Sequence, residues 1–215
     1  VVAALTETGR EDPARPATTA TLQGTTWVLS GSKSAVPLLD RAAKVVIPAA
    51  TASGTALFLV DGGGPTNRTT SHGLPVGELD LEDVEAELLT DDPTALPWLL
   101  DRAYVGIAAT ALGVSNKALR LSARYTTERE QFGRAIATFQ AVGHRLADAY
   151  IDVEGIRLTT LSAVWLLDED LPAHDEARIA KWWAAEGGHR VGCQIAQQLR
   201  RGGHGRERRV LDVAA

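Results

Sequence analysis

The sequence predicts an α+β protein, with a small antiparallel β domain over residues 1–92 followed by an antiparallel helical bundle over 93–215. Two observations carry the prediction. The first ninety or so residues hold short β-branched and aromatic runs separated by glycine-rich turns, the pattern of hairpins. After them the apolar residues recur at alternating steps of three and four, the period of a helix packed on other helices.

Taken in order, Ala20 to Gly31 is a β-rich run broken at Gln23-Gly24, which predicts a first hairpin. Lys44 to Pro48 and Thr55 to Asp61 pair across Thr51 to Gly54 as a second. Leu79 to Leu89 mixes alternation with acidic residues and reads as either strand or helix. Gly62, Gly63, Gly64 and Pro65 mark a loop. Tyr104, Ile107, Ala111, Val114, Ala118, Leu121 and Tyr125 form the stripe of a first helix. Phe139, Val142, Leu146, Ala149, Val153 and Ile156 form that of a second. Ile179, Trp183, Val191 and Ile195 mark a third, expected to be interrupted at Gly187-Gly188. Pro97 stands near the start of the first helix, and Leu171-Pro172 separates the second from the third. Long helices joined by short turns imply antiparallel neighbours.

Bulk composition excludes several classes. The chain has 215 residues, 45% hydrophobic and 23% charged, enough to bury a core in one large or two small domains. A net charge of -5 argues against nucleic acid as the main partner; the basic run from Arg200 to Arg209 could hold an anion, but reads more commonly as an exposed charged tail. Cys193 stands alone, so no disulfide framework or cysteine metal site is expected. His72, His144, His174, His189 and His204 show no metal-ligand spacing, and Ser30, Ser32 and Ser34 lack a nucleophile elbow. With no bilayer-length apolar run and no cleavable signal, a reduced, cytoplasmic protein is expected. The sequence begins at Val1 and contains no methionine, so it is expected to be part of a longer chain.

Arg129-Glu-Gln-Phe-Gly-Arg-Ala-Ile-Ala-Thr-Phe-Gln140, followed by Ala-Val-Gly-His-Arg-Leu-Ala-Asp148, is the most informative stretch. Arg129 offers a planar fork of donors suited to phosphate oxygens, Gly133 permits a turn between helices, and Gln140 can both donate and accept. The stretch resembles the flavin-binding signature of the acyl-CoA dehydrogenases. That resemblance extends over nearly the whole chain, with the last dozen residues fitting badly. It implies a middle β-barrel or sandwich domain and a C-terminal domain of the four-helix-bundle type, with FAD as cofactor. The family's N-terminal helical domain and extreme C-terminus are missing from the match.

By the same resemblance, Ala4 to Gly9 is the segment where backbone amides and a threonine hydroxyl meet the flavin ring, which assigns Leu5 and Thr6 to the cofactor. Arg129, Phe132 and Gln140 correspond to residues reaching the adenine and pyrophosphate of a flavin held mainly by a neighbouring subunit. Gln197 to Gly205 resembles the family's glycine-rich turn, one residue out of spacing, and places Gly202 and Gly203 against the same cofactor. Gly31 to Pro37 occupies the flavin-covering strand, but Ala35 and Pro37 stand where an aromatic and a threonine are usual, which weakens the shielding. Trp27, in the strand before, is expected in the core, and Trp182 and Trp183 are expected to pack.

Oxidation of an acyl thioester needs a carboxylate to remove the α-proton. One family position for it follows the glycine-rich turn, and no comparable motif occurs here. Counting back from Gly113 puts Ala103 at the other, with Tyr104 in place of an arginine. The catalytic residue is therefore unknown, and Asp101 and Arg102 are expected on the surface. The resemblance implies an acyl-CoA dehydrogenase passing electrons to an electron-transfer flavoprotein, as a homo-oligomer or with a related subunit. One alternative is a non-catalytic partner subunit contributing structure and part of the flavin site. Another is a helical structural protein without cofactor, which a visible absorption spectrum would separate from both.

Overall fold

The computed structural model describes residues 1–10, 12–70 and 73–201, the last five by backbone alone. The chain forms two compact units, Val1–Leu100 and Asp101–Ala215.

The first unit is built on one seven-stranded sheet. Its strands are β1 (Val2–Ala3), β2 (Thr19–Gln23), β3 (Thr26–Pro37), β4 (Lys44–Thr51), β5 (Gly54–Asp61), β6 (Thr66–Thr69) and β7 (Pro75–Thr90). Both expected hairpins form. β2 and β3 meet across Gly24-Thr25, with Gly24 at φ 65°, a left-handed turn that glycine adopts without a Cβ penalty. β4 and β5 pair from Lys44↔Asp61 to Thr51↔Gly54. Pairings also join β4 to β2, β3 to β7 and β7 to β5, so the run of neighbours returns to its start. The acidic segment read as strand or helix lies within β7. Its residues alternate until Asp83, at φ 54°, inserts a bulge. The bulge moves the core-facing positions from Leu79 and Leu81 to Val84, Ala86 and Leu88, leaving Glu82, Asp83, Glu85 and Glu87 in solvent. Trp27 packs against the core as expected, its ring 5.3 Å from that of fully buried Phe58.

Three long helices follow among the described residues: α1 (Ala95–Glu128), α2 (Gln140–Asp168) and α3 (His174–Arg201). A short hairpin, β8 (Glu130–Gln131) and β9 (Arg134–Ala135), connects the first two. The α2 stripe is buried from Ala149 through Ile156 and continues to Ala163. The α1 stripe is displaced from the expected line. Its buried residues include Leu100, Asp101, Val105, Ala108, Ser115, Leu119, Ser122 and Thr126; of the expected line Ala118 is buried as well, whereas Ile107 and Val114 are exposed. Small side chains let the helices approach closely, so the buried line follows size as well as hydrophobicity. Thr126 satisfies its hydroxyl by donating to the Ala123 carbonyl at 3.0 Å.

α3 runs unbroken through Gly187-Gly188, contrary to expectation. These glycines are contact points: a Cβ on Gly187 would lie 3.2 Å from Ile156, and one on Gly188 3.7 Å from the Ser115 hydroxyl. Ile179 of the expected α3 stripe is exposed, while Val191 and Ile195 are fully buried. Trp183 fits over Gly155 of α2, where a Cβ would come within 2.6 Å of the indole. Beside it Arg190 grips Asp152 through two nitrogens, the shortest contact being 2.7 Å.

Candidate functional site

The residues expected to touch a cofactor occupy two places, one in each unit. In the first, β1 runs parallel to β4, and the chain leaves it with Ala4 donating from its amide to the Val46 carbonyl at 2.9 Å. Leu5 is half-buried and Thr6 exposed. Thr6 is held against β3 by a reciprocal pair of bonds: the Ser34 amide donates to the Thr6 carbonyl at 2.9 Å, and the Thr6 hydroxyl donates to the Ser34 carbonyl. β3 is free to make this contact because its pairing with β7 skips between Lys33 and Val36, where Ala35 adopts φ 52°. A non-glycine residue in that region is strained by about 1–3 kcal/mol, a cost found preferentially at functional sites.

Glu7 and Lys33 form a buried ion pair beneath Thr6 that sequence reasoning missed. Lys33 is 1% exposed, and its Nζ donates to Glu7 Oε1 at 2.6 Å and to the Pro48 carbonyl at 2.9 Å. Glu7 also accepts from the Thr18 hydroxyl at 2.7 Å, the Thr18 amide at 3.1 Å and the Ala17 amide at 2.6 Å. Burial alone would push the Glu7 carboxyl up, but Lys33, the Thr18 hydroxyl and the two amides outweigh it and hold it down at about 2. Burial pushes the Lys33 ammonium below its ordinary value, against the pull of Glu7. A signal was present in the sequence. Lys33 falls on the parity of Trp27 and Leu29, so alternation places it on the core face, where a charge needs a partner.

The second place is the connection between α1 and α2. The Arg129 amide donates to the Tyr125 carbonyl at 2.9 Å, closing the helix, and its carbonyl accepts from the Ile136 amide at 2.8 Å. Arg129 is exposed. Phe132 and Gly133 form the hairpin tip, both left-handed at φ 53° and 77°. Phe132 is 92% exposed, with its edge to Phe139 at a 6.2 Å centroid distance, and the Arg134 guanidinium lies 4.2 Å above the Phe139 ring. An aromatic ring held at a strained tip in water presents an apolar face suited to stacking on a planar heterocycle. Exposed Gln140 opens α2, its amide 3.4 Å from His144 Nε2. The structure thus gathers Arg129, Phe132 and Gln140 at one junction. Gly202 and Gly203 lie outside the described residues.

The carboxylate question looks different in the structure. Ala103 and Tyr104 are half-buried on α1. Asp101 is only 8% exposed, not a surface residue, and its Oδ1 lies 2.8 Å from Nδ1 of His174 at the start of α3. A helix turn near its N-terminus carries Asp101 inward, and a buried carboxylate is tolerated there because the imidazole engages it. Trp182 is exposed while Trp183 packs, the two rings edge to face at 5.5 Å. Among the described residues no group of His, Cys, Asp and Glu could hold a metal ion, and no helix is long and apolar enough to cross a membrane.

Comparison with known proteins adds the deciding observation. The family model described as "Acyl-CoA dehydrogenase, C-terminal domain" matches residues 96–213, more than half of the chain. The chain belongs to the acyl-CoA dehydrogenase family. Acyl-CoA dehydrogenase FadE27 of Mycobacterium tuberculosis is 40% identical over 181 residues, covering 78% of this chain and 48% of that protein. Among solved structures, a variant of the Tcur3481-Tcur3483 steroid ACAD is 40% identical, with a TM-score of 0.87 over 99% of this chain and 60% of its own. The ChsE4-ChsE5 complex from Mycobacterium tuberculosis is 36% identical, with a TM-score of 0.82 over 99% of this chain and 59% of its own. The chain therefore spans about half the length of the curated relative. These family relatives share its mixed architecture of a strand-rich unit and helices.

Proposed function

We propose that residues 1–92 and 93–215 are the middle and C-terminal domains of an FAD-dependent acyl-CoA dehydrogenase-type protein, acting in α,β-desaturation of an acyl-CoA thioester. The circular run of strand pairings supports a barrel for the first, and the packed helices support a four-helix-bundle type for the second. The lone thiol of Cys193 fits a reducing, cytoplasmic setting.

The observation that carries the flavin assignment is the strained, exposed Phe132 at the hairpin tip, in the same α1–α2 connection as Arg129 and Gln140. FAD, when bound, would supply the hydride acceptor at N5. Leu5 and Thr6 would face the ring system, Arg129, Phe132 and Gln140 would reach the adenine and pyrophosphate of a flavin held mainly by a neighbouring subunit, and Gly202 and Gly203 would allow close backbone approach. In this structure the Thr6 hydroxyl gives its hydrogen to Ser34, so its free lone pairs are suited to accept from a ligand N–H. Arg129→Ala in the full-length protein should weaken FAD binding by about 1.5–3 kcal/mol, the value of a charge-assisted phosphate contact. Equilibrium dialysis giving an unchanged dissociation constant would overturn the assignment.

The same reading includes assembly as a homo-oligomer or with a related subunit, and an electron-transfer flavoprotein as acceptor. α2 supports the first part. Opposite its packed face it exposes Ile151, Leu158, Leu161 and Trp165, an apolar row at helical spacing that water alone would leave costly. Sedimentation should find a dimer or a dimer of dimers. A stable monomer retaining stoichiometric FAD would contradict this.

A second reading, a partner subunit that lends structure and part of the flavin site, is favoured by one specific observation. Ala103 holds a family position for the base, and the nearby carboxylate of Asp101 is turned into His174. The solved relatives described as a pair of chains, Tcur3481-Tcur3483 and ChsE4-ChsE5, make such an arrangement a natural comparison. The expected result is that acyl-CoAs do not bleach the flavin anaerobically when the purified full-length protein is alone, and do so once a related chain is added. Rapid bleaching without any partner would refute the subunit reading and return the chain to a self-sufficient dehydrogenase.

A further inference from the structure

We propose that Lys33 is a positioning residue: through Glu7 it fixes which way the Leu5–Thr6 segment faces and so sets the flavin-facing surface of the first unit. The inference rests on the flavin reading above and adds a residue to it.

The argument starts from alternation. Successive side chains on an extended segment point to opposite sides, so anchoring one residue inward obliges its neighbour to face outward. Glu7 is drawn into the interior by Lys33, Thr18 and the Ala17 amide, and Thr6 is correspondingly exposed. The same stretch of β3 that carries Lys33 carries Ser34, which fastens Thr6 through both its amide and its carbonyl. Adjacent residues of β3 thus hold adjacent residues of the segment that follows β1, one pair by charge inside and one by backbone outside. The arrangement is anchored on a third side, since Lys33 also donates to the Pro48 carbonyl of β4, the strand that β1 lies along. A lysine spent only on solubility would not sit 1% exposed between a carboxylate and a carbonyl. A one-residue slip of the 4–8 segment would put Thr6 inside and Glu7 outside, and the buried cation is what makes that slip costly.

The test uses the full-length protein in its native assembly, comparing the parent with Lys33→Met, Lys33→Arg and Glu7→Gln. Two readings are taken: hydrogen exchange of the peptide covering residues 4–10 without added flavin, and the visible spectrum and dissociation constant of FAD. Lys33→Met should speed exchange in that peptide about tenfold or more, weaken FAD about tenfold and shift the flavin absorption bands, with Glu7→Gln following in the same direction and Lys33→Arg restoring part of each. If Lys33→Met does not fold, the near-isosteric Glu7→Gln decides by the same readings. Unchanged exchange in a folded variant overturns the proposal. Faster exchange with an unaltered flavin spectrum and affinity also overturns it, reducing the pair to a purely structural role. A parent protein that takes up no FAD at all sinks the flavin reading instead, and the exchange data alone then judge whether Lys33 holds the segment.

Discussion

Lys33→Met is expected to cost the first unit about 3–5 kcal/mol, the usual penalty for removing one partner of a buried ion pair. The size follows from what is left behind. Glu7 would remain enclosed with three neutral donors, from Thr18 and Ala17, and no cation, while the Pro48 carbonyl would lose its donor. Replacing both charges, as Glu7→Gln with Lys33→Met, should recover a large part of the loss, because a glutamine carbonyl in the Oε1 position still accepts from both Thr18 donors without a charge to desolvate, and only the Ala17 amide loses its acceptor. Native-state hydrogen exchange of the β4 and β5 amides is the suitable measure, since it reports the opening of the first unit separately from the helices. A single substitution costing less than about 1 kcal/mol would show that water reaches the pair, in the range of a surface salt bridge.

What the sequence reveals about this fold depends on whether the signal is local. Both hairpins are legible because turn chemistry and alternation sit within a dozen residues, as at Gly24 and between Thr51 and Gly54. β7 is ambiguous because a bulge at Asp83 resets the alternation midway, so neither period fits throughout. The α1 stripe is misplaced by about one residue because serine, threonine and alanine line the helix contacts, and hydropathy does not count size. The Gly187-Gly188 pair reads locally as a break but serves close packing against Ile156 and near Ser115, which only the tertiary arrangement reveals. Asp101 is misread for the same reason, its partner His174 being seventy-three positions away. At the candidate site, Arg129, Phe132 and Gln140 are contiguous enough to be read as a motif. Glu7 and Lys33 come from different segments, and their pairing depends on the fold that brings those segments together.

Acid should expose the same pair in a second way. Glu7 is held at about 2 in the folded protein against an ordinary 4.5, so the folded state favours the carboxylate. The sign follows directly: with the folded value depressed, the stabilisation is complete above about pH 4.5 and is lost as pH falls towards and through 2, where the unfolded chain has already bound its proton. A displacement of this size corresponds to about 3 kcal/mol at neutral pH. Other carboxylates also resist protonation, Asp92 beside Thr94 and Glu154 beside Arg157, but both pairs sit towards solvent and are screened. The informative quantity is therefore the difference between the parent and Glu7→Gln, followed by hydrogen exchange of the β4 amides from pH 6 to 2.5. That difference should be largest near neutrality and shrink steadily below pH 4.5. Lys33→Met should flatten the parent's own acid dependence, because Lys33 is the foremost of the groups holding the carboxyl down. A parent-minus-variant difference that stays constant across the range would mean that Glu7 titrates at its ordinary value, and that the buried pair does not hold the carboxylate as its geometry requires.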